Sequence, residues 1–123
     1  MEGDPIEVGR LVPAEWLGRR VRVVIDRPLG SVHPGGGFVY PVNYGYLPGF
    51  MAPDGEALDA YVLGPDGPVD EYEGSVIAVV LRADDLEDKL VVSADSGWRR
   101  AAIADALDFQ EQCFDSQVVT QGI

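Results

Sequence analysis

Carboxylate side chains cluster at two places in the sequence, and each cluster adjoins a run of residues typical of a β-strand. Asp54, Glu56 and Asp59 fall within six positions, and the segment from Asp84 to Lys89 carries four more acids. Like charges this close repel one another and are costly to desolvate unless a cation lies between them. Carboxylate oxygens suit a hard divalent cation such as Mg²⁺. The two clusters therefore predict a cation site, with solvated acidic loops as the alternative.

A tyrosine-rich segment, YPVNYGYLPG at residues 40–49, precedes the first cluster. The phenol hydroxyls of Tyr40 and Tyr44 can donate hydrogen bonds to phosphate oxygens without adding charge. Amphipathic tyrosines also seal the ends of barrels. Composition alone leaves both roles open.

Length and charge bound the class of protein. A chain of 123 residues predicts a single domain over residues 1–123. The net charge of −12 argues against a nucleic-acid partner, because phosphate backbones are bound by basic surfaces. The sequence has no apolar run long enough to span a membrane and no signal peptide at its acidic N-terminus. Cys113 is the single cysteine, which predicts a reducing, cytoplasmic setting and a packing role for the thiol.

Short alternating or apolar runs separated by Gly and Pro predict about five strands followed by one helix. The strand runs are RVRVVI, LDAYVLG, SVIAVVLRA and KLVVSA, whereas SVHPGGGFVYPVNYGYLPG is expected to be loop with short extended pieces. Residues 98–114 have helical spacing, with Asp95 or Ser96 as the N-cap. This order predicts a mainly β fold, a closed or partly open five-stranded OB-like barrel with a C-terminal α-helix.

The stretch YPVNYGYLPGFMAPDGEALDAYVLG resembles the signature of the family I soluble inorganic pyrophosphatases. In that family a Tyr-Pro-x-Asn-Tyr-Gly segment precedes an Asp-x-Asp-x-x-Asp motif at the same separation. The segments VIDRPLGS and RADDLEDKLVV are similar to two further family segments, Glu-x-Pro-x-Gly-Ser and Asp-x(4)-Asp-x-Lys. The chain is most similar to a short, divergent subgroup, and the family often forms homo-oligomers.

The resemblance implies hydrolysis of pyrophosphate to two phosphates with Mg²⁺, or Mn²⁺, as the cofactor. It implies that Asp54 and Asp59 ligate the central metal ions, and that Asp84 and Asp88 bind the ion that arrives with substrate. Asp26 occupies the position of an outer-shell glutamate near the metals.

The resemblance also implies the catalytic set Glu56, Tyr44 and Lys89. Glu56 stands where the family has the aspartate that helps activate the nucleophilic water, and it is one methylene longer. Tyr44 and Lys89 would contact a phosphate, and Tyr40 is a further candidate substrate ligand.

The chain departs from the family pattern mainly in its basic residues. Between GSVHP and the Tyr-Pro motif it has only glycines, Phe38 and Val39, where the family has a Lys-x-Glu strand and an arginine strand. Lys89 follows Asp88 without the usual spacer, so either Glu87 or Asp88 could be the ligand. Four arginines are candidate replacements that the sequence does not place: Arg22, Arg27, Arg82 and Arg99.

A pyrophosphate hydrolase is the first interpretation. The alternatives are a degenerate module that binds a metal and a phosphate-containing ligand without useful catalysis, and a hydrolase of another phosphoanhydride. An OB-type oligonucleotide binder is disfavoured by the net charge. His33, the sole histidine, is left unassigned.

Overall fold

The computed structural model describes residues 4–35, 37–84 and 87–121. Asp85 of the second acidic cluster and Gly36 of the glycine run lie outside them. The described strands are β1 Ile6–Glu7, β2 Arg20–Arg27, β3 Asn43–Met51, β4 Ala57–Val62, β5 Glu71–Arg82, β6 Lys89–Ser93 and β7 Ser116–Thr120. The described helices are α1 Pro13–Trp16 and α2 Arg100–Glu111.

Five of these strands close into a barrel. Hydrogen-bonded neighbours follow the order β3, β2, β5, β6 and β4, and a further β3–β4 pairing joins the two ends. β4 and β6 run parallel, and the other barrel pairs are antiparallel. The predicted mainly β fold, a five-stranded OB-like barrel with a C-terminal helix, is confirmed. β1 pairs with β3, and β7 pairs with β5 after the helix; neither strand was predicted.

Apolar side chains from all five barrel strands fill the interior, as the two-residue alternation of a strand requires. The interior group comprises Val23, Ile25, Leu47, Leu58, Ala60, Val62, Val76, Val79, Leu90 and Val92, together with Leu11 and Trp16 from the N-terminal segment. The residues between them on each strand face outward. The outer face is therefore where polar side chains of β2, β3, β4 and β6 can meet.

Helix α2 covers part of that outer face. Its Ile103 and Leu107, one turn apart, are fully buried against Tyr61, Ala78 and Val91 of the barrel. The helix begins and ends inside the predicted range 98–114. Because of this packing, the C-terminal end of α2 lies beside the outward-facing side chains of the barrel.

The N-cap prediction was wrong. The N-cap is Arg99, without a side-chain capping bond, while Asp95 Oδ1 instead accepts a hydrogen bond from Gly97 N in the preceding turn. The packing role expected for Cys113 was also wrong, since its side chain is exposed.

The segment YPVNYGYLPG was predicted as loop, and most of it is strand β3. Its glycine and proline have local reasons to stand in a strand. A Cβ on Gly45 would lie 1.9 Å from the carbonyl oxygen of Val24, so only glycine allows β2 and β3 to approach this closely. Pro48 lies in the register shift between Leu47 and Met51, where a missing N–H is tolerated.

Among the described residues, no helix combines the length and the apolarity needed to cross a bilayer.

Candidate active site

An acidic pocket of about 440 Å³ opens on the outer face of the barrel. Its acidic lining residues are Asp26, Glu56, Asp59 and Glu87, and its cationic ones are Arg27 and Lys89. Strand alternation brings many of these side chains together. Asp59 lies between the interior residues Leu58 and Ala60, and so faces outward.

Asp59 lies at the centre of the polar contacts in the pocket. The hydroxyl of Tyr44 donates to Asp59 Oδ2 over 2.8 Å, and Lys89 Nζ donates to the same oxygen over 2.9 Å. Lys89 Nζ also contacts Glu87 Oε1 at 3.4 Å. The Lys89 side chain is 4% exposed, whereas those of Asp59 and Glu87 are 26% and 29% exposed. A buried ammonium thus holds two carboxylates that remain open to the pocket.

Burial and mutual repulsion disfavour negative charge in this pocket. Burial raises the pKa of Asp26, and the charge of Asp59 raises it further against the opposing effect of Arg27. Burial likewise raises the pKa of Glu87, with Lys89 opposing and Asp54 and Asp59 adding to the rise. The carboxylates therefore exceed the positive charge that neutralises them, which favours binding of a further cation.

Tyr44 keeps its proton in this setting. Burial raises the pKa of Tyr44 well above its ordinary value, and the adjacent Asp59 carboxylate raises it further. Burial also raises the pKa of Tyr40, whose ring stacks at 5.8 Å from that of Tyr44. Both phenols are consequently hydrogen-bond donors at neutral pH.

A β-bulge places Asp26 and Arg27 on the same side of β2. Ile25 pairs with Gly45 and Arg27 pairs with Tyr44, so two steps along β2 match one step along β3 and Asp26 is the extra residue. Without the bulge, successive residues would point to opposite faces. With it, the carboxylate and the guanidinium both line the pocket.

The first acidic cluster lies partly in the turn before β4. Asp54 Oδ1 accepts a hydrogen bond from the backbone N–H of Glu56 over 3.0 Å, which shapes that turn. Glu56 is exposed and lines the pocket. Asp54 is also exposed, and its charge raises the pKa of Glu87. The two predicted clusters thus meet through Asp54, Asp59 and Glu87.

Asp88 and Asp84 do not line the pocket. The Asp88 side chain is 1% exposed and accepts hydrogen bonds from Arg10 Nε and Nη2 at 2.8 and 2.7 Å and from the N–H groups of Leu11 and Arg82 at 2.9 and 3.1 Å. Asp84 is exposed, and its Oδ1 accepts from Asp115 N over 3.1 Å. The sequence left Glu87 and Asp88 as alternative metal ligands. Glu87 lines the pocket, and Asp88 does not.

Among the four candidate arginines, Arg27 lines the pocket. Arg22 pairs with Glu71 on the exposed surface, and Arg82 is buried against Glu111. Arg99 lines a separate groove. Sequence periodicity could not have predicted that Arg27 lines the pocket, because the β-bulge that turns its side chain to the outer face of the barrel leaves no recognisable pattern in the sequence of β2.

Two further lining residues were missed from the sequence. His33 lines the pocket with its ring centroid 4.6 Å from that of Phe38, and its Nδ1 accepts from Gly35 N over 3.0 Å. Gln110 reaches the pocket from α2. Neither belongs to a local motif, and only the packing of the hairpin and the helix brings them here.

Comparison with known proteins gives the site a context. No family model matches the chain. A curated protein named inorganic pyrophosphatase, from Gluconobacter oxydans (strain 621H), is 34% identical over 88 residues, covering 58% of this chain and 49% of that protein. The chain thus spans about half the length of the curated relative it matches.

Solved structures agree in fold. The crystal structure of inorganic pyrophosphatase from Ehrlichia chaffeensis matches with a TM-score of 0.65 and 16% identity, covering 85% of this chain and 87% of that one. Those from Neisseria gonorrhoeae and Thermus thermophilus match with TM-scores of 0.58 and 0.55 and identities of 22% and 20%. They cover 78% and 81% of this chain, and 76% and 80% of their own. This chain resembles inorganic pyrophosphatases in sequence and in fold. The predicted resemblance is confirmed.

The acidic pocket has oxygen donors of the kind that a hard cation binds. Within residues 4–35, 37–84 and 87–121, no three His, Cys, Asp or Glu side chains are arranged to chelate an ion together. Mg²⁺ usually binds through one or two carboxylates and keeps several waters, so it does not require such a trio. The carboxylates that line the pocket, Asp26, Asp59 and Glu87, are donors that could hold such a water-rich ion. Asp54 is not among the lining residues, and it acts on the pocket through its charge on Glu87.

Proposed function

We propose that this chain hydrolyses inorganic pyrophosphate to two phosphates in the acidic pocket, with Mg²⁺ as the cofactor and Mn²⁺ as its substitute. The observation that carries the proposal is the contact set of Asp59, which joins a carboxylate open to the pocket with the Tyr44 phenol and the Lys89 ammonium. A carboxylate for a metal and two donors for phosphate are the groups that this reaction needs.

The proposed direct ligands of Mg²⁺ are Asp59 and Glu87, which both line the pocket, while Asp26 and Asp54 would act through water. Glu87 takes the place first given to Asp88, because Asp88 is occupied by Arg10 and two backbone N–H groups. Asp84 is left out of the set, since its Oδ1 accepts a hydrogen bond from Asp115 N outside the pocket. When bound, Mg²⁺ neutralises charge on the diphosphate and lowers the pKa of a water.

Arg27 and Lys89 are the proposed phosphate ligands on the protein. Both line the pocket, and their positive charges would stabilise negative charge that develops on phosphate. Tyr44, whose raised pKa keeps it protonated, gives its single proton to Asp59 in this structure, and it would turn to a phosphate oxygen once Asp59 binds a cation. Tyr40 contributes through its contact with Arg27, where Arg27 Nη1 donates to the Tyr40 hydroxyl over 3.3 Å.

Glu56 is the proposed general base. It is exposed at the pocket rim on a turn fixed by Asp54, so its carboxylate can reach a water above Asp59. The extra methylene relative to aspartate changes that reach. Displacements of about 1 Å at a reacting group cost roughly a hundredfold in rate.

A phosphate-release assay tests the proposal. The purified chain is given pyrophosphate, nucleoside triphosphates and sugar diphosphates in turn, with Mg²⁺ or Mn²⁺. We expect release from pyrophosphate, abolished in Asp59→Asn and retained in Asp105→Asn, which makes the same charge change on the exposed face of α2. Phosphate release from another phosphoanhydride, without release from pyrophosphate, would support the proposed class of reaction and identify a different substrate.

The alternative is a module that binds a metal and a phosphate-containing ligand without useful turnover. The small number of cationic side chains in the pocket, Arg27 and Lys89 among the described lining residues, favours it. Calorimetric binding of Mg²⁺ together with imidodiphosphate, beside no phosphate release, would support this alternative. Loss of both binding and turnover would contradict both functions.

A further inference from the structure

A line of hydrogen bonds connects the pocket to a buried ion pair under helix α2. It runs from Arg27 through the hydroxyl of Tyr40 to Gln110, and from Gln110 through the hydroxyl of Tyr61 to Glu111. Gln110 is the middle member, and its side chain also lines the pocket. The proposed reaction has no role for Gln110, Tyr61 or Glu111.

At the buried end of this line, the Glu111 carboxylate determines which group donates and which accepts in every hydrogen bond. Arg82 Nη2 and Nε donate to the Glu111 carboxylate at 2.6 and 3.1 Å. Burial alone would lower the pKa of Arg82, but the bonds and the charge of Glu111 raise it, and the guanidinium forms an ion pair with the Glu111 carboxylate. A carboxylate can only accept. The hydroxyl of Tyr61 must therefore donate to Glu111, and burial and that charge raise the pKa of Tyr61.

The orientation of the Gln110 amide follows from this. Because the single proton of the Tyr61 hydroxyl is given to Glu111, its oxygen can only accept from Gln110, and Gln110 Nε2 lies 2.7 Å away. Gln110 Oε1 then points to the other side, where the Tyr40 hydroxyl donates to it over 3.4 Å. The Tyr40 oxygen is left to accept from Arg27 Nη1. A guanidinium, which can only donate, thus ends the line in the pocket.

We propose that Gln110 is a positioning residue, which orients the Tyr40 hydroxyl and through it the Arg27 guanidinium towards the phosphate. This inference rests on the proposed function for its kinetic consequence. The bonds at the pocket end are longer than those at the buried end, as is common for catalytic groups before substrate binds. The buried end is rigid, since Tyr61 is fully buried. The Gln110 amide therefore takes its orientation from this end of the line.

Kinetic comparison of four variants tests this role. Gln110→Met removes both bonds of the amide at similar volume and should lower kcat/KM for pyrophosphate roughly tenfold. Arg27→Met should lower it further. The double variant should equal Arg27→Met alone, because Gln110 acts through Arg27. Gln112→Met, the same change on the exposed C-cap residue of α2, should match the unmodified protein.

Two further measurements separate positioning from structural support. Gln110→Glu keeps the shape but offers Tyr61 an acceptor where a donor is needed, so it should lose at least as much kcat/KM as Gln110→Met. Relaxation of the Arg27 Nε–H group by ¹⁵N NMR should show lost order in Gln110→Met and in Tyr40→Phe, and none in Gln112→Met. This readout needs neither turnover nor ligand, so it decides the inference even if pyrophosphate is not hydrolysed.

Multiplicative losses in the double variant would contradict the proposal. Unchanged Arg27 order in Gln110→Met would overturn it as well. Absence of phosphate release in the unmodified protein, with Arg27 order still dependent on Gln110, would refute the proposed function and leave the positioning role standing.

Discussion

At the scale of single residues, Lys89 supplies a positive charge among the clustered carboxylates. Its ammonium lies 2.9 Å from Asp59 Oδ2 and 3.4 Å from Glu87 Oε1. Its Nζ also lies 5.4 Å from the centre of the Tyr44 ring. An ammonium and a divalent cation would compete for the same carboxylates. Under the proposed function, Lys89 would therefore have two opposing effects, weakening metal binding and strengthening phosphate binding.

Lys89→Met should separate these effects. We expect Mg²⁺ affinity, measured by calorimetry, to rise at least about tenfold, because a unit positive charge is removed beside the cation. We expect kcat for pyrophosphate to fall roughly a hundredfold, because a charge that stabilises the transition state is lost. Arg20→Met removes the same charge from an exposed pair with Glu73 and should change neither quantity. Weaker Mg²⁺ binding in Lys89→Met would contradict this account.

At the scale of elements, the contact between β2 and β3 decides the shape of the pocket. The bulge at Asp26 and the missing side chain of Gly45 occur together, because the strands approach closely where the register shifts. This contact sets Arg27 opposite Tyr44. The pocket therefore depends on a residue that does not line it.

Gly45→Ala should destabilise the fold by at least about 3 kcal/mol, measured by urea unfolding, because the new Cβ would overlap the Val24 carbonyl and the backbone must move. Gly9→Ala is the matched control, since a Cβ there meets nothing within 4 Å. A stable Gly45→Ala protein with unchanged activity would show that β2 and β3 can separate without cost to the pocket.

The loop between β5 and β6 is anchored by Asp88. Its carboxylate takes four hydrogen bonds, two from Arg10 and two from the backbone. Burial would raise the pKa of Asp88, but these bonds and the charge of Arg10 hold it below its ordinary value of 3.8. These hydrogen bonds hold the N-terminal segment against the start of β6, whose first residue is Lys89.

Asp88→Asn should lower the free energy of unfolding by about 3 kcal/mol near neutral pH, because an amide offers a donor where only acceptors fit. A carboxyl whose folded pKa is depressed stabilises the fold above its unfolded pKa, and this contribution is lost as pH falls through the folded value. The free energy of unfolding should therefore differ most from that of the unmodified protein above about pH 5, and the difference should become small below pH 3.8. Urea titrations in metal-free buffer measure it, and a difference independent of pH would contradict the assignment.

At the scale of the whole molecule, charge dominates. A net charge of −12 on 123 residues opposes the compact state by self-repulsion. The pocket gathers part of that charge, since Asp26 and Glu87 both have raised pKa values. Homo-oligomer formation stays a prediction, to be checked by light scattering.

Salt should stabilise this molecule, and Mg²⁺ should do so more than salt of equal ionic strength. Raising NaCl from 10 to 200 mM is expected to raise Tm by roughly 5 °C, the shift that about 1 kcal/mol produces in a domain of this size. Mg²⁺ at a hundredfold excess over its Kd should add about 2.7 kcal/mol. Asp59→Asn should remove the Mg²⁺ increment and keep the salt response. Equal effects of NaCl and MgCl₂ in the unmodified protein would argue against a specific site.

Strand alternation and turn residues were enough to predict the barrel class, and motif spacing carried the resemblance to pyrophosphatases. That resemblance implied that Asp59, Tyr44 and Lys89 serve one site, and the structure brings the three into contact. The sequence pattern wrongly predicted β3 as loop, because its glycines and proline are typical strand breakers when the close approach of β2 and the register shift are unknown. It could not choose between Glu87 and Asp88, which are adjacent in sequence and have opposite surroundings.

Which charges reach the pocket depends on contacts that the sequence does not reveal. Arg27 enters through a bulge, Gln110 through the docking of α2, and Asp88 is withdrawn by a bond to Arg10, 78 positions away. Each depends on a contact between segments far apart in the chain. Side-chain period within one strand reports which residues share a face, but only the pairing of strands and the packing of the helix report which faces meet.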